Sequence, residues 1–339
     1  MSQIEVFTEE YPSFESYWRS IILFGKNTAS YKFALAKTLL HFAEQNKTTL
    51  TLEELAPIYA SHICKHLKKA ERQGVSKTSK FLSACQDFNK GNISDDTLIN
   101  TTVKLGFNNV LTAFHNVNQR ELPVHFFINE PKKIQLTDDL FRLKEMKFDN
   151  NLPLEIESRW RLVETAWDLS IPRNCLSIRH DMLTDDLFIE NNQLRRITLT
   201  SVRSALNGYQ KGKCFYCFND IDAASASDSD VDHFFPHTLQ NETNDINFDG
   251  VWNLVLSCQK CNRGIGGKFA MIPEKKYLER LNKRNNFLIE SHHPLRETLL
   301  AQTGQTTNER VHFLQTVDSF AINYLIHRWH PVEEFEACF

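Results

Sequence analysis

Residues 230–237 read DVDHFFPH, and residues 258–264 read CQKCNRG. The first stretch sets an Asp-His pair inside a run of strand-forming residues that Pro236 closes. The second follows a Cys-x-x-Cys turn directly with Asn262. Upstream, KCFYC at 213–217 supplies a matching turn, so Cys214, Cys217, Cys258 and Cys261 form two pairs. Each turn points two thiolates at one ion, and two turns complete the tetrahedron that Zn²⁺ prefers. Forty residues separate the pairs, more than a compact zinc ribbon uses, so a substantial insert carrying the Asp-His strand lies between them. Successive strand residues face opposite sides. Asp232 and His233 therefore reach one centre only if the chain twists or loops there.

Outward from this unit the chain reads mostly as helix. Residues 14–45 carry apolar residues at three- and four-residue intervals, broken by a Gly-Lys-Asn turn at 25–27. A helix follows Thr51, with Glu54 completing a capping-box pattern. Residues 74–100 are polar and read as a loop, 103–117 as helix, and LPVHFFINEP at 122–131 as a strand closed by Pro131. Helix returns at 153–170, where Pro153 suits a first turn, and again over 184–210. This organisation predicts an α+β protein: a mostly helical region over 1–200, a zinc-clipped unit over 201–275 and a helical region over 276–339.

Composition narrows the function. The 339 residues are 41% hydrophobic and 24% charged, as in a globular chain with room for two or three packed units. A net charge of −3 supplies no general attraction to nucleic acid, so any such binding needs a local patch. The acidic start has no signal-peptide pattern, and no stretch approaches the ~20 apolar residues of a membrane span. The expected location is cytoplasmic, where paired cysteines favour metal over disulfides.

Taken in order, C-x2-C, D-H-x-x-P, W-N-L-V, C-x2-C-N and a nearby Lys resemble the HNH endonuclease family with its ββα-metal finger, over roughly residues 213–273. The resemblance implies that His233 is the general base for an attacking water. Asp232 and Asn262 would hold a catalytic Mg²⁺ or Mn²⁺, and Asn253 would hold the catalytic loop by hydrogen bonds. Cys214, Cys217, Cys258 and Cys261 match the structural zinc knuckle of one branch of the family. Here the final position is Asn rather than His, and NRGIGGK delays the basic residue. Arg263 and Lys268 both remain candidates for clamping phosphates, and His237 is placed either at the substrate or at the surface.

The implied activity is hydrolysis of double-stranded DNA to a 3′-hydroxyl and a 5′-phosphate. Restriction or anti-phage defence follows from family habit, and near-neutral charge suggests control by a protein partner. The competing reading is a catalytically silent zinc-clipped module that binds DNA or recruits a partner. Four other features carry less. His62 and His66 read as part of a basic helical face with Lys65, Lys68, Lys69 and Arg72, a candidate contact for a DNA backbone. Residues 220–230 lack the Gly and Glu of a calcium loop and read as an acidic loop. Asp230 reads as solvated, and His292 and His293 as the start of a helix.

Overall fold

The structure is a computed structural model that describes residues 13–339 apart from 25–28, 75–78, 118–119, 147–150, 169–177, 191–195, 244 and 291–294. The expected turn at 25–27 and the His292–His293 helix start lie outside the described residues. Helices and small sheets mix in one chain, as an α+β reading requires. Its contacts divide at 170/171 into two compact units, Pro12–Ser170 and Ile171–Phe339, so residues 276–339 share a unit with 201–275. No helix among the described residues is long and apolar enough to cross a membrane.

In the first unit α1 (Phe14–Phe24), α2 (Tyr31–Glu44), β1 (Thr49–Thr51) and α3 (Leu52–Leu67) lead the chain. The Thr51 hydroxyl accepts from Glu54 N and the Glu54 carboxylate accepts from Thr51 N, so the capping box forms. Leu55, Tyr59 and Ile63 recur every fourth residue along α3 and are fully buried. The stretch read as loop instead carries α4 (Lys80–Asn89) and α5 (Asp95–Thr101). Ser79 and Ser94 cap these helices, and Phe81, Leu82 and Cys85 supply the buried face that outweighs a polar composition.

Over 103–117 a π-turn (Thr102–Gly106) and the short α6 (Val110–Ala113) replace one continuous helix, and β2 (Asn116–Val117) pairs with β3 (Arg120–Glu121). Pro131 does end a strand, β4 (Phe127–Glu130), but Lys132 turns at φ 63° and the chain returns as β5 (Lys133–Leu136). α7 (Asp138–Arg142) and α8 (Asn151–Asp168) complete the unit.

α8 carries a buried charge network. Arg19 makes two hydrogen bonds to Glu155, at 2.8 and 2.9 Å. His66 sits between Glu164 at 2.7 Å and Glu157 at 3.3 Å, with its ring stacked 3.5 Å from Trp160. His66 therefore belongs to the interior and not to the basic face; Lys65, Lys68 and Lys69 are the exposed cations there.

The second unit opens with an antiparallel sheet of β6 (Arg179–Asp181), β7 (Asp186–Glu190) and β8 (Arg196–Ser201), the last two where helix was expected. Leu187 and Ile189 are buried while Asp186 and Phe188 are half-buried, a two-residue period, and Asp185 at φ 54° closes the first hairpin. Helix begins only at α9 (Val202–Gln210). Next come β9 (Ser229–His233), β10 (Leu254–Cys258) and α10 (Gln259–Arg263). The chain ends with β11 (Ile272–Pro273), α11 (Lys275–Glu290), α12 (Arg296–Thr303), α13 (Thr307–Tyr324) and β12 (Arg328–Trp329).

The His66 network gives this fold a pH dependence. Burial lowers the His66 pKa, but Glu157 and Glu164 outweigh it and the net shift is upward. Its contribution is thus complete below an ordinary histidine value of about 6.5 and is lost as pH rises through the raised folded value. Glu157 is held well below the usual carboxylate range: burial opposes this, and His66 and Lys37 outweigh it. Its share is kept above about 4.3 and is lost only in acid. The Tm should fall in the wild type as pH rises above about 6.5 and should flatten in His66→Gln. The substitution should also cost about 3 kcal/mol by removing the charged partner of the buried Glu164 and leaving it the Gln73 amide. A Tm in the variant equal to wild type across that range would contradict this.

Candidate functional site

The four Sγ atoms of Cys214, Cys217, Cys258 and Cys261 lie within 4.8 Å of one another, and all four residues are buried. Cys217 and Cys258 stand 3.8 Å apart, the edge expected when thiolates sit about 2.3 Å from one tetrahedral ion, which is about 3.8 Å. The donor set and spacing fit Zn²⁺. Hydrogen bonds from Cys214, Cys217 and Cys261 pull the Cys258 thiol far below its ordinary value, whereas burial pushes Cys214 up. The first turn closes through Cys214 N to Asn219 O at 2.8 Å, with Phe218 at φ 59°. The second pair straddles the junction where Cys258 ends β10 and Cys261 sits on α10.

That clip ties α10 to an antiparallel β9–β10 pair, in which Asp232 faces Val255 and His233 faces Leu254. α9 grips both strands. Arg203 donates to the backbone and hydroxyl of Ser229, and Gln210 bonds both ways to the Leu256 backbone, at 2.8 and 2.9 Å. Asn253 precedes β10 and is fully buried. Its carbonyl accepts from Phe235 N, and its amide donates to Phe235 O and Phe248 O, all at 2.8 Å. These bonds fix the chain just beyond His233, where Pro236 leads into a 3-10 turn at His237–Glu242.

β9 stays regular to its last residue, so its alternation holds and Asp232 and His233 leave opposite faces. Asp232 is buried, taking a 2.6 Å hydrogen bond from the Tyr216 hydroxyl and a 3.2 Å ion pair from Lys268. Burial raises its pKa against the pull of Lys268 and Tyr216. The twist that would set Asp232 beside His233 is not present.

Lys268, expected as one of two phosphate clamps, is buried with its ammonium on Asp232, His233 O at 2.9 Å and Phe269 O at 3.3 Å. The glycines cause this. Gly266 at φ 73° and Gly267, with no room for a Cβ, fold the loop back so that Lys268 N bonds Cys261 O at 2.7 Å. Arg263 is the cation left at the surface. Asn262 meets Asp230, at 3.0 Å, with no contact to Asp232, and Arg263 pairs with the same carboxylate at 3.0 Å. Asp230 is consequently a partnered residue, with 13% of its side chain exposed, and not a solvated one.

His233 lies in a second cluster. Its Nε2 approaches Asp249 Oδ1 at 3.3 Å, and its ring centre stands 5.6 Å from His237 and 6.0 Å from His180 of β6. Burial pushes its pKa down to about 4 against the opposing pull of Asp249, with His180, His237 and Lys268 adding to the fall. At neutral pH the imidazole is uncharged and keeps a lone pair. His180, Asp249 and Tyr216 escaped the sequence reading. Tyr216 lay in view between two cysteines, whereas His180 sat between two segments read as helix, in a stretch given no element. Asp249, four residues before Asn253, had no spacing to flag it. The acidic loop at 220–230 forms no metal-holding group among the described residues. Comparison with protein-family models, with curated proteins and with solved structures gives no match.

Two outcomes follow from the clip and the staple. Purified protein should carry one clip zinc per chain, and Cys258→Ser should lower both that zinc and the Tm; full occupancy in the variant would exclude a four-cysteine site. Asn253→Ala strands one backbone N–H and two carbonyls in the interior and should cost about 3 kcal/mol or more in chemical unfolding. A change within about 0.5 kcal/mol would show that the staple is not holding the turn.

Proposed function

We propose that this chain is a metal-dependent endonuclease of the HNH kind, hydrolysing DNA phosphodiester bonds with His233 as general base. The observation that carries this reading is a largely buried imidazole at the end of a strand that is fixed on both sides. The thiolate clip and α9 hold β9 from one side, and Asn253 holds the residues after His233 from the other. A base so placed takes a proton from water as the oxygen attacks phosphorus, and the bond to the 3′ oxygen breaks. Products would be a 3′-hydroxyl and a 5′-phosphate.

The hard oxygens of Asp232 and Asn262, with Asp230 beside them, suit Mg²⁺ or Mn²⁺ in chemical type. Such an ion, when bound, supplies positive charge to the phosphate and the departing oxygen. Asp232 joins that set only if its contacts to Tyr216 and Lys268 loosen. Arg263, 56% exposed at its side chain, is the group best placed to meet a backbone phosphate. The acidic balance of the chain favours double-stranded DNA delivered by, or released through, a partner protein over free binding.

A second reading has one specific observation behind it. The closed Asp232–Lys268–Tyr216 cluster suits a zinc-clipped module that binds DNA or a partner without cutting. Nicking of supercoiled plasmid in Mg²⁺ or Mn²⁺ separates the two. His233→Ala should lower the rate by ~10²- to 10⁴-fold with zinc content unchanged. Equal cutting by both proteins would remove His233 from the mechanism. Zinc-loaded protein that never cuts, in either form, would favour the silent module.

A further inference from the structure

Three polar atoms near the end of β9 are buried without a hydrogen-bond partner: His180 Nδ1, His233 Nε2 and Asp249 Oδ1. They come from three separate segments. Burying such atoms unpaired is costly, so a cluster of three implies a ligand that satisfies them together. We propose that His180, His233 and Asp249 form a second metal site, selective for a borderline ion of the Zn²⁺ class, and that its occupation switches off His233.

The distances favour an ion. His233 Nε2 and Asp249 Oδ1 stand 3.3 Å apart, yet they are not aligned as a hydrogen bond. Ligands about 2.0 to 2.1 Å from one tetrahedral zinc are about 3.3 Å from each other. Two imidazoles on such an ion have ring centres roughly 5 Å apart. His180 and His233 are at 6.0 Å, within an ångström of that. The three atoms do not meet at one point as the four sulfurs do, and since the His233–Asp249 pair is already close, the gap to close is that of His180.

His180 also has the outer partner that ligating histidines use. Its Nε2 is on Asp185 Oδ1 at 3.4 Å, and Asp185 is held in turn by Arg203 at 3.0 Å. This arrangement leaves the buried Nδ1 as the atom available to ligate. The side chain is 2% exposed, so it is no surface histidine. Two nitrogens and one carboxylate oxygen select zinc-like ions over Mg²⁺, which prefers oxygen throughout.

The regulatory consequence rests on the reading of His233 as base, whereas the metal site itself does not. A neutral imidazole has one lone pair. An ion on Nε2 takes it, leaves the proton on Nδ1, and removes the acceptor for the attacking water. Micromolar zinc would then silence the enzyme while the clip zinc is retained.

The test counts zinc per chain after dialysis against micromolar Zn²⁺, beside plasmid nicking in Mg²⁺ with and without that zinc. Wild type should bind one zinc beyond the clip, and Asp249→Asn should lose it. His180→Gln should lose it as well, and the nicking that it retains should resist inhibition by added zinc. Asp185→Asn, which leaves all three ligands in place, should weaken the extra zinc by about 10- to 100-fold. Wild type with clip zinc alone, or extra zinc retained by both His180→Gln and Asp249→Asn, would overturn the proposal while leaving any nuclease activity standing. Extra zinc lost in both variants, from a protein that cuts nothing, would support the site and sink the nuclease reading instead.

Discussion

Convergence of four cysteine sulfurs on one point is the constraint from which the rest of the second unit follows. The chain between Cys217 and Cys258 is long, and a loop of that length costs several kcal/mol of conformational entropy to close. Coordination of one ion by two Cys-x-x-Cys turns would repay that cost and would hold the first turn against the β10–α10 junction. α9 then takes its grip on both strands through Arg203 and Gln210, and the segment near the end of the chain bonds back to the knuckle through Phe335 N on Cys217 O. Without the clip, a five-residue α10 and a two-stranded sheet have too little buried surface to persist.

Two faces of one short strand acquire different chemistry as a result. Asp230 and Asp232 point toward α10 and its following loop, where Asn262, Arg263 and Lys268 meet them. His233 points the other way, into a group of histidines and Asp249 that draws on a sheet more than forty residues upstream. Lys268 touches both sides, through the Asp232 carboxylate and the His233 carbonyl. Any movement that frees Asp232 for a metal therefore acts on the backbone of the residue proposed as base. This coupling gives a partner or substrate a route to both halves of the site.

Much of the site was legible because its residues are close in sequence and their chemistry is distinctive. The cysteine pairs and the capping box at Thr51 depend on local spacing, and the expectation that Asn253 braces a loop came from the family resemblance. What escaped was set by tertiary packing. The 184–201 stretch mixes charged and apolar residues that satisfy a helical pattern loosely, while Leu187 and Ile189 bury on a two-residue period only because β6 and β8 flank them. The 80–101 region looked polar, yet it carries two helices: Ser79 and Ser94 cap their N-termini, and three apolar residues give the first its buried face. Lys268 looked like a surface cation until the glycines before it folded the loop inward. His180 was invisible for the same reason: nothing in a sequence reports which residue a distant hairpin will deliver.

The central claim is that the thiolate clip holds the His233 strand against α10, and hydrogen exchange before and after zinc chelation tests it most directly. The expected result is faster exchange throughout 229–235 and 254–263, with protection unchanged in α2 and α3 of the other unit. If β9 and β10 keep their protection after the zinc is gone, the strand is held by packing alone, and the clip is not what positions His233.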